Sequence, residues 1–172
     1  MSSYLDRIGA GLILNKPEVF GFDYVPEILV GREDIQGQLA SLFSTIGHPE
    51  GTGRAIVTGP VGSGKTALVK RFCDDVAKHV ADKRNIKCVH VNCRNASTAS
   101  RVMQKIVQDL DPGHPDRGLG VGELLTSLRR MLQGDNSHII VVLDEVDHLL
   151  RHSGDDIIYK LMRIDEDGNR AG

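Results

Sequence analysis

Along this chain the apolar positions switch repeatedly between a helical period and short unbroken runs. Ile35, Leu39, Leu42, Phe43 and Ile46 fall three or four residues apart, and so do Leu68, Val69, Phe72, Val76 and Val80. The stripes Val102, Met103, Ile106, Val107, Leu110 and Val121, Leu124, Leu125, Leu128, Met131 repeat the pattern, and Ile157, Ile158, Leu161 and Ile164 repeat it again. Such spacing puts the apolar side chains of each segment on one face of a helix. Runs of strand character lie between them: Ile56-Val57 within residues 54–58, the partly alternating and β-branched residues 86–92, and Ile139-Ile140-Val141-Val142-Leu143. Five apolar residues with no polar alternation describe a strand covered on both faces, as in a parallel sheet flanked by helices.

The predicted order follows. Pro17 and Pro26 exclude one continuous helix over residues 1–26, which read as an arm packed across the domain. A helix then runs toward Gly47, a strand over 54–58, and a helix from Lys65 to about Val80. Next come a strand over 86–92, two helices around the turn-rich loop 111–120, the strand 139–143, and a helix with Asp155 as its N-cap.

Chemistry gathers at two strand ends. After Ile56-Val57 the chain reads Thr58-Gly59-Pro60-Val61-Gly62-Ser63-Gly64-Lys65-Thr66, which fits the phosphate-binding pattern between a strand and a helix. A phosphate tail needs inward-pointing backbone N–H groups, and side chains at Gly62 and Gly64 would block its approach. The helix opening at Lys65 adds the positive end of its dipole, the Lys65 ammonium suits the β- and γ-phosphates, and the Thr66 hydroxyl suits Mg²⁺. At the other end, residues 139–143 deliver Asp144 and Glu145. Ligands of open α/β sheets bind beyond the carboxyl ends of the strands, so both carboxylates should emerge beside the phosphate loop. Asp144 suits a metal ion and Glu145 suits the water that attacks a γ-phosphate.

Composition narrows the picture only slightly. With 172 residues, 40% hydrophobic and 26% charged, one globular domain with a buried core is expected. Lys and Arg total 21 against 23 for Asp and Glu, a formal charge of −2 that gives no global attraction to nucleic acid. No apolar run approaches membrane-spanning length, and neither a signal peptide nor an anchor is read in residues 4–14. Cys73, Cys88 and Cys93 lack metal-binding spacing and read as reduced thiols, which makes the cytoplasm the expected compartment. Cys73 falls on the apolar face of its helix, and His90 reads most simply as a strand histidine. Arg94, Arg101, Lys105, Arg117, Arg129 and Arg130 are scattered over the two-helix region and read as a solvated face, with DNA phosphates as the alternative.

Five stretches together carry a resemblance: Tyr24-Val25-Pro26-Glu27, Val30-Gly31-Arg32-Glu33, Gly59 to Thr66, Asn92-Cys93-Arg94, and Leu143-Asp144-Glu145-Val146-Asp147-His148-Leu149. The chain resembles the archaeal origin-recognition and cell-division-control initiators, within the AAA+ ATPases, over nearly all its length after the first dozen residues. The Val-Pro-Glu arm, the Asn-Cys-Arg strand exit and Gly-Asp-Asp-Ile-Ile-Tyr-Lys-Leu from Gly154 are its more specific parts. The resemblance implies an α/β P-loop NTPase of AAA+ type, a three-layer sandwich with a parallel sheet. It divides the chain into an arm at 1–26 and an ATPase domain at 27–172, with an initiator-specific insertion within about 95–132.

It further implies ATP or ADP with Mg²⁺ as ligands. Val25, Pro26, Val30 and Arg32 would lie near the adenine, and Gly59, Pro60, Val61, Gly62, Ser63, Gly64, Lys65 and Thr66 would hold phosphates. Lys65 and Glu145 would act in hydrolysis, and Thr66 and Asp144 would hold the metal. Implied partners are origin DNA, met through the insertion and a C-terminal domain, the replicative helicase and other initiator copies, without a membrane. The implied location is the nucleoid-associated cytoplasm. The polar, glycine-bearing end at 165–172 reads as a fragment boundary, before the sensor strand, arginine finger, helical lid and winged-helix domain that the family carries. ATP hydrolysis is then expected of the full-length protein and poor hydrolysis of this chain alone. A non-hydrolysing nucleotide-binding module, or another P-loop ATPase unrelated to replication, is the alternative.

Overall fold

A computed structural model describes residues 24–134 and 137–164, so the arm lies almost wholly outside the described residues. At its centre are two parallel strands, β1 (Asn85–Asn92) and β2 (Ser137–Asp144), paired in register from Asn85 with Ser137 to Asn92 with Asp144. Among the described residues six helices accompany them: α1 (Glu33–Leu42), α2 (Lys65–His79), α3 (Ala99–Leu110), α4 (Val121–Gly134), α5 (Val146–Ser153) and α6 (Asp156–Met162). The crossover from β1 to β2 is made by α3 and α4, as the two successive helical stripes predict.

Strand alternation sorts the helices into layers. Val89 and Val91 of β1, with Ile139, Val141 and Leu143 of β2, pack against Val102, Met103, Ile106 and Val107 of α3 and Leu124 and Leu128 of α4. The intervening residues Ile86, Cys88, Ile140 and Val142 turn the other way, toward Cys73 and Val76 of α2. Because β2 is covered on both faces, it has no reason to alternate polar and apolar residues. α1 joins the α2 side, where Leu39, Leu68 and Phe72 form a separate small cluster and Phe43 meets Phe72 edge to face.

Residues 54–58 depart from expectation, since they form no strand. Their alternation survives, with Val57 packed beside Leu39, Leu68 and Phe72 while Ile56 is 89% exposed. A strand exists only when a neighbour supplies hydrogen bonds, and among the described residues β2 pairs with β1 alone. The first helix also ends early, at Leu42. Residues beyond it close tight turns instead, with the N–H of Ile46 on Phe43 O at 3.0 Å and that of His48 on Thr45 O at 2.9 Å. Asp155 stands at the N-cap position of α6, but its side chain makes no capping bond. Thr98 does cap α3, accepting from the N–H of Arg101 at 3.4 Å.

Candidate functional site

The turn before α2 is built for backbone exposure. Gly62 (φ 77°) and Gly64 (φ 82°) both adopt left-handed conformations, and Gly64 is the residue from which α2 starts. A Cβ at either would meet nothing within 4 Å, so the backbone angle, rather than crowding by protein, selects glycine. A cleft of about 310 Å³ opens here, lined by Tyr24, Val25, Gly62, Gly64, Lys65, Thr66, Ala67 and Lys70. The first turn of α2 forms one wall, which aims its unsatisfied N–H groups and its dipole into the cleft.

Lys65 folds back over the loop, and its Nζ donates to the carbonyl oxygens of Gly59 at 2.9 Å and Pro60 at 2.8 Å. Arg32 reaches the same loop from the start of α1, donating from Nη2 to Ser63 O at 2.5 Å. Arg32 therefore braces the phosphate loop by a direct bond. Val25 lines the cleft, together with Tyr24, but Pro26 and Val30 are not among its lining residues and Val30 is 88% exposed. Gly59, Pro60, Val61 and Ser63 shape the loop without lining the cleft.

Strand β2 brings Asp144 to a residue that lines this cleft, although neither Asp144 nor Glu145 lines it. Thr66 Oγ1 donates to Asp144 Oδ2 at 2.6 Å, joining residues 78 positions apart. The other oxygen, Asp144 Oδ1, accepts from the N–H of Glu145 at 2.9 Å. Glu145 takes a left-handed backbone (φ 51°, ψ 42°) at the N-cap of α5, and His148 Nε2 lies 3.7 Å from its Oε2. Burial chiefly, and the nearby Asp144, Asp147 and Glu145 charges in addition, push the Cys93 thiol up to about 11. Among the described residues no group of three or more His, Cys, Asp or Glu side chains is placed to hold a metal. A hydroxyl and one carboxylate, completed by phosphate oxygens and water, is instead the donor set that suits Mg²⁺ at a nucleotide.

Three residues near this chemistry escape the sequence. Lys70 was within reach, lying one helical turn beyond Thr66 on the same face. His148 was also within reach, standing three residues beyond Glu145, whereas His90, 3.5 Å from Asp144 Oδ2, could be found only once the strands were in register. The scattered basic residues also separate: Arg129 Nε donates to Ile164 O at 3.1 Å and so ties α4 to the end of α6, while Arg101 and Lys105 are exposed on α3.

A profile described as AAA domain matches residues 48–171. The chain belongs to this AAA family. Among curated relatives, it is 33% identical over 158 residues to an ORC1-type DNA replication protein of Saccharolobus solfataricus, covering 89% of this chain and 38% of that protein. A relative of the same description from Thermococcus onnurineus is 31% identical over 180 residues, covering 98% and 43%. Among solved structures, the Aeropyrum pernix ORC1 protein in complex with DNA aligns with a TM-score of 0.77 at 30% identity, covering 87% of this chain and 40% of that one. The Aeropyrum pernix ORC2 protein in ADPNP and ADP complexes aligns at 0.75 with 27% identity, covering 88% and 40%. These alignments bear out the α/β fold with a parallel sheet and the resemblance to archaeal initiators. The chain spans about two fifths of the length of the relatives it matches. No helix among the described residues of this AAA protein is long and apolar enough to cross a membrane.

Proposed function

We propose that this chain is the nucleotide-binding AAA+ part of a DNA replication initiator, taking ATP or ADP with Mg²⁺ in the cleft at the start of α2. The observation that carries this reading is the 2.6 Å bond between Thr66 and Asp144, which joins the start of α2, at a residue lining the cleft, to the acidic end of β2. In this reading, Gly62 and Gly64 leave backbone N–H groups open to the phosphates, and Lys65 exchanges its loop carbonyls for phosphate oxygens. Thr66 and Asp144 would hold Mg²⁺, which supplies neutralisation of phosphate charge when bound. Glu145 orients and polarises the attacking water, and Tyr24 and Val25 give the nucleoside an apolar wall. Binding of origin DNA through residues 95–132, helicase loading and a hydrolysis-driven switch belong to the same proposal, supported by the names of the relatives and by exposed Arg101 and Lys105 on α3.

A second reading, nucleotide binding without turnover, is favoured by one feature: among the described residues no arginine lines the cleft. Charge on a transferring phosphoryl group is commonly met by such an arginine. The test is thermal melting and retained-nucleotide analysis of the chain and of Lys65→Ala, with ADP or ATP and Mg²⁺. At about 100 times the dissociation constant, ligand bound only to the folded state stabilises it by about 2.7 kcal/mol. A shift in the wild type that the variant loses supports the site; no shift and no retained nucleotide in the wild type overturns it. Glu145→Gln then separates the readings, since turnover lost with binding kept marks an ATPase.

A further inference from the structure

His90 lies on β1 two residues before the strand ends, in step with Cys88 on the α2 side of the sheet. Its register partner is Val142, so Asp144, two residues further along β2, is its diagonal neighbour on the same side. The ring reaches across that diagonal, with Nε2 3.5 Å from Asp144 Oδ2, the ring 27% exposed and the carboxylate 20%. With its hydrogen on Nε2, the ring presents a donor to that oxygen. Asp144 is thus approached from three elements: Thr66 from α2, the Glu145 N–H from the turn into α5, and His90 from β1. The first two contacts follow from the phosphate loop and the strand end. The third has no place in that chemistry as a ligand, because Mg²⁺ prefers oxygen donors.

We propose that His90 is a positioning residue for the divalent cation, holding the Asp144 carboxylate from β1 so that it faces the metal shared with Thr66 and the nucleotide. This inference rests on the reading of Thr66 and Asp144 as the metal ligands. The Asp144 side chain projects from the last residue of a strand and is partly exposed, so rotation about its own bonds would misdirect its oxygens. Thr66 holds Oδ2 with its one hydrogen while its oxygen is free to face the cation, and the Glu145 N–H holds Oδ1 from the turn, so His90 adds a hold on Oδ2 from the β1 side. A partner on the opposite strand keeps the carboxylate oriented when Thr66 is engaged, and losing such partners of metal-binding carboxylates typically costs about 10- to 100-fold in metal affinity. A merely packed histidine would affect folding and nucleotide binding without regard to the metal.

The test uses the whole chain with ADP, titrating Mg²⁺ against ADP affinity by calorimetry and recording the electron paramagnetic resonance spectrum of Mn²⁺ added in place of Mg²⁺. His90→Leu removes the donor at similar bulk, His90→Gln keeps an N–H donor, and Lys65→Ala serves as the control for the nucleotide site. The expected result is an Mg²⁺ midpoint at least about 10-fold higher in His90→Leu. ADP affinity without metal should be unchanged, the bound Mn²⁺ signal lost at a concentration that saturates the wild type, and both properties largely restored in His90→Gln. A wild-type Mg²⁺ midpoint in His90→Leu overturns the inference alone, as does equal loss of ADP binding with and without metal in both variants. Absence of ADP binding by the wild type, indistinguishable from Lys65→Ala, overturns the nucleotide-site reading and this inference with it.

Discussion

At the scale of single residues, chemistry is placed where the backbone is least comfortable. Glu145 is the only non-glycine with a positive φ among the described residues, and it carries the carboxylate proposed to act on water. A side chain in that conformation costs about 1 kcal/mol more than glycine would. Glu145→Gly is therefore expected to be more stable than Glu145→Ala by about 1 kcal/mol in urea unfolding, although both remove the carboxylate. Equal stabilities would show that α5 relaxes the turn on its own. Cys93 offers a second check, through pH. Its thiol ordinarily ionises near 9.0, and burial raises this to about 11 in the folded chain. As pH rises through that window the unfolded chain gives up the proton first, so the unfolded state binds fewer protons and stability falls. The loss should approach about 2 to 3 kcal/mol between pH 9 and pH 11, and Cys93→Ala should flatten that part of the stability profile.

At the scale of elements, local signals worked where an element supplies its own hydrogen bonds. The stripes of α2, α3 and α4 could be read directly, because a helix pairs its backbone within itself and needs a neighbour only for its apolar face. The start of α3 is set by Thr98, whose hydroxyl takes the N–H of Arg101. Thr98→Ala should cost about 1 kcal/mol, seen as a lower denaturant midpoint with an unchanged slope. An unchanged midpoint would mean that solvent satisfies that N–H equally well. Residues 54–58 show the opposite case, for their apolar pattern is that of a strand and no ladder forms. α5 was not legible because it is short and is launched from the strained Glu145 rather than from a capping side chain.

At the scale of the whole molecule, a few long-range contacts hold the loops around the layered core. The Arg84 guanidinium, just before β1, donates from Nη1 to His48 O at 2.6 Å and from Nη2 to Pro49 O at 2.7 Å. It fastens the turns after α1 to the head of the sheet, close to the chain that enters the phosphate loop. A lysine ammonium is a single point charge and lacks the planar fork whose two separate nitrogens meet these two carbonyls. Arg84→Lys is expected to lose about 1.5 kcal/mol of stability and to speed amide hydrogen exchange in residues 46–51. A variant as stable as the parent, with unchanged exchange, would show that the fork contributes nothing net.

By itself the sequence determined the glycine-rich turn before α2, the acidic strand end, the two-helix crossover and the α/β class, because each rests on residue types at fixed local spacing. Gly62 and Gly64 are required by their own dihedral angles, and the unbroken run before Asp144 by burial on both faces. Tertiary structure decided which of these distant pieces meet. Thr66 and Asp144, His90 and Asp144, and Arg32 and Ser63 come together through strand register and helix packing. Register shifted by one residue would turn His90 and Asp144 to opposite faces of the sheet, and nothing in the local spacing of either strand specifies that alignment.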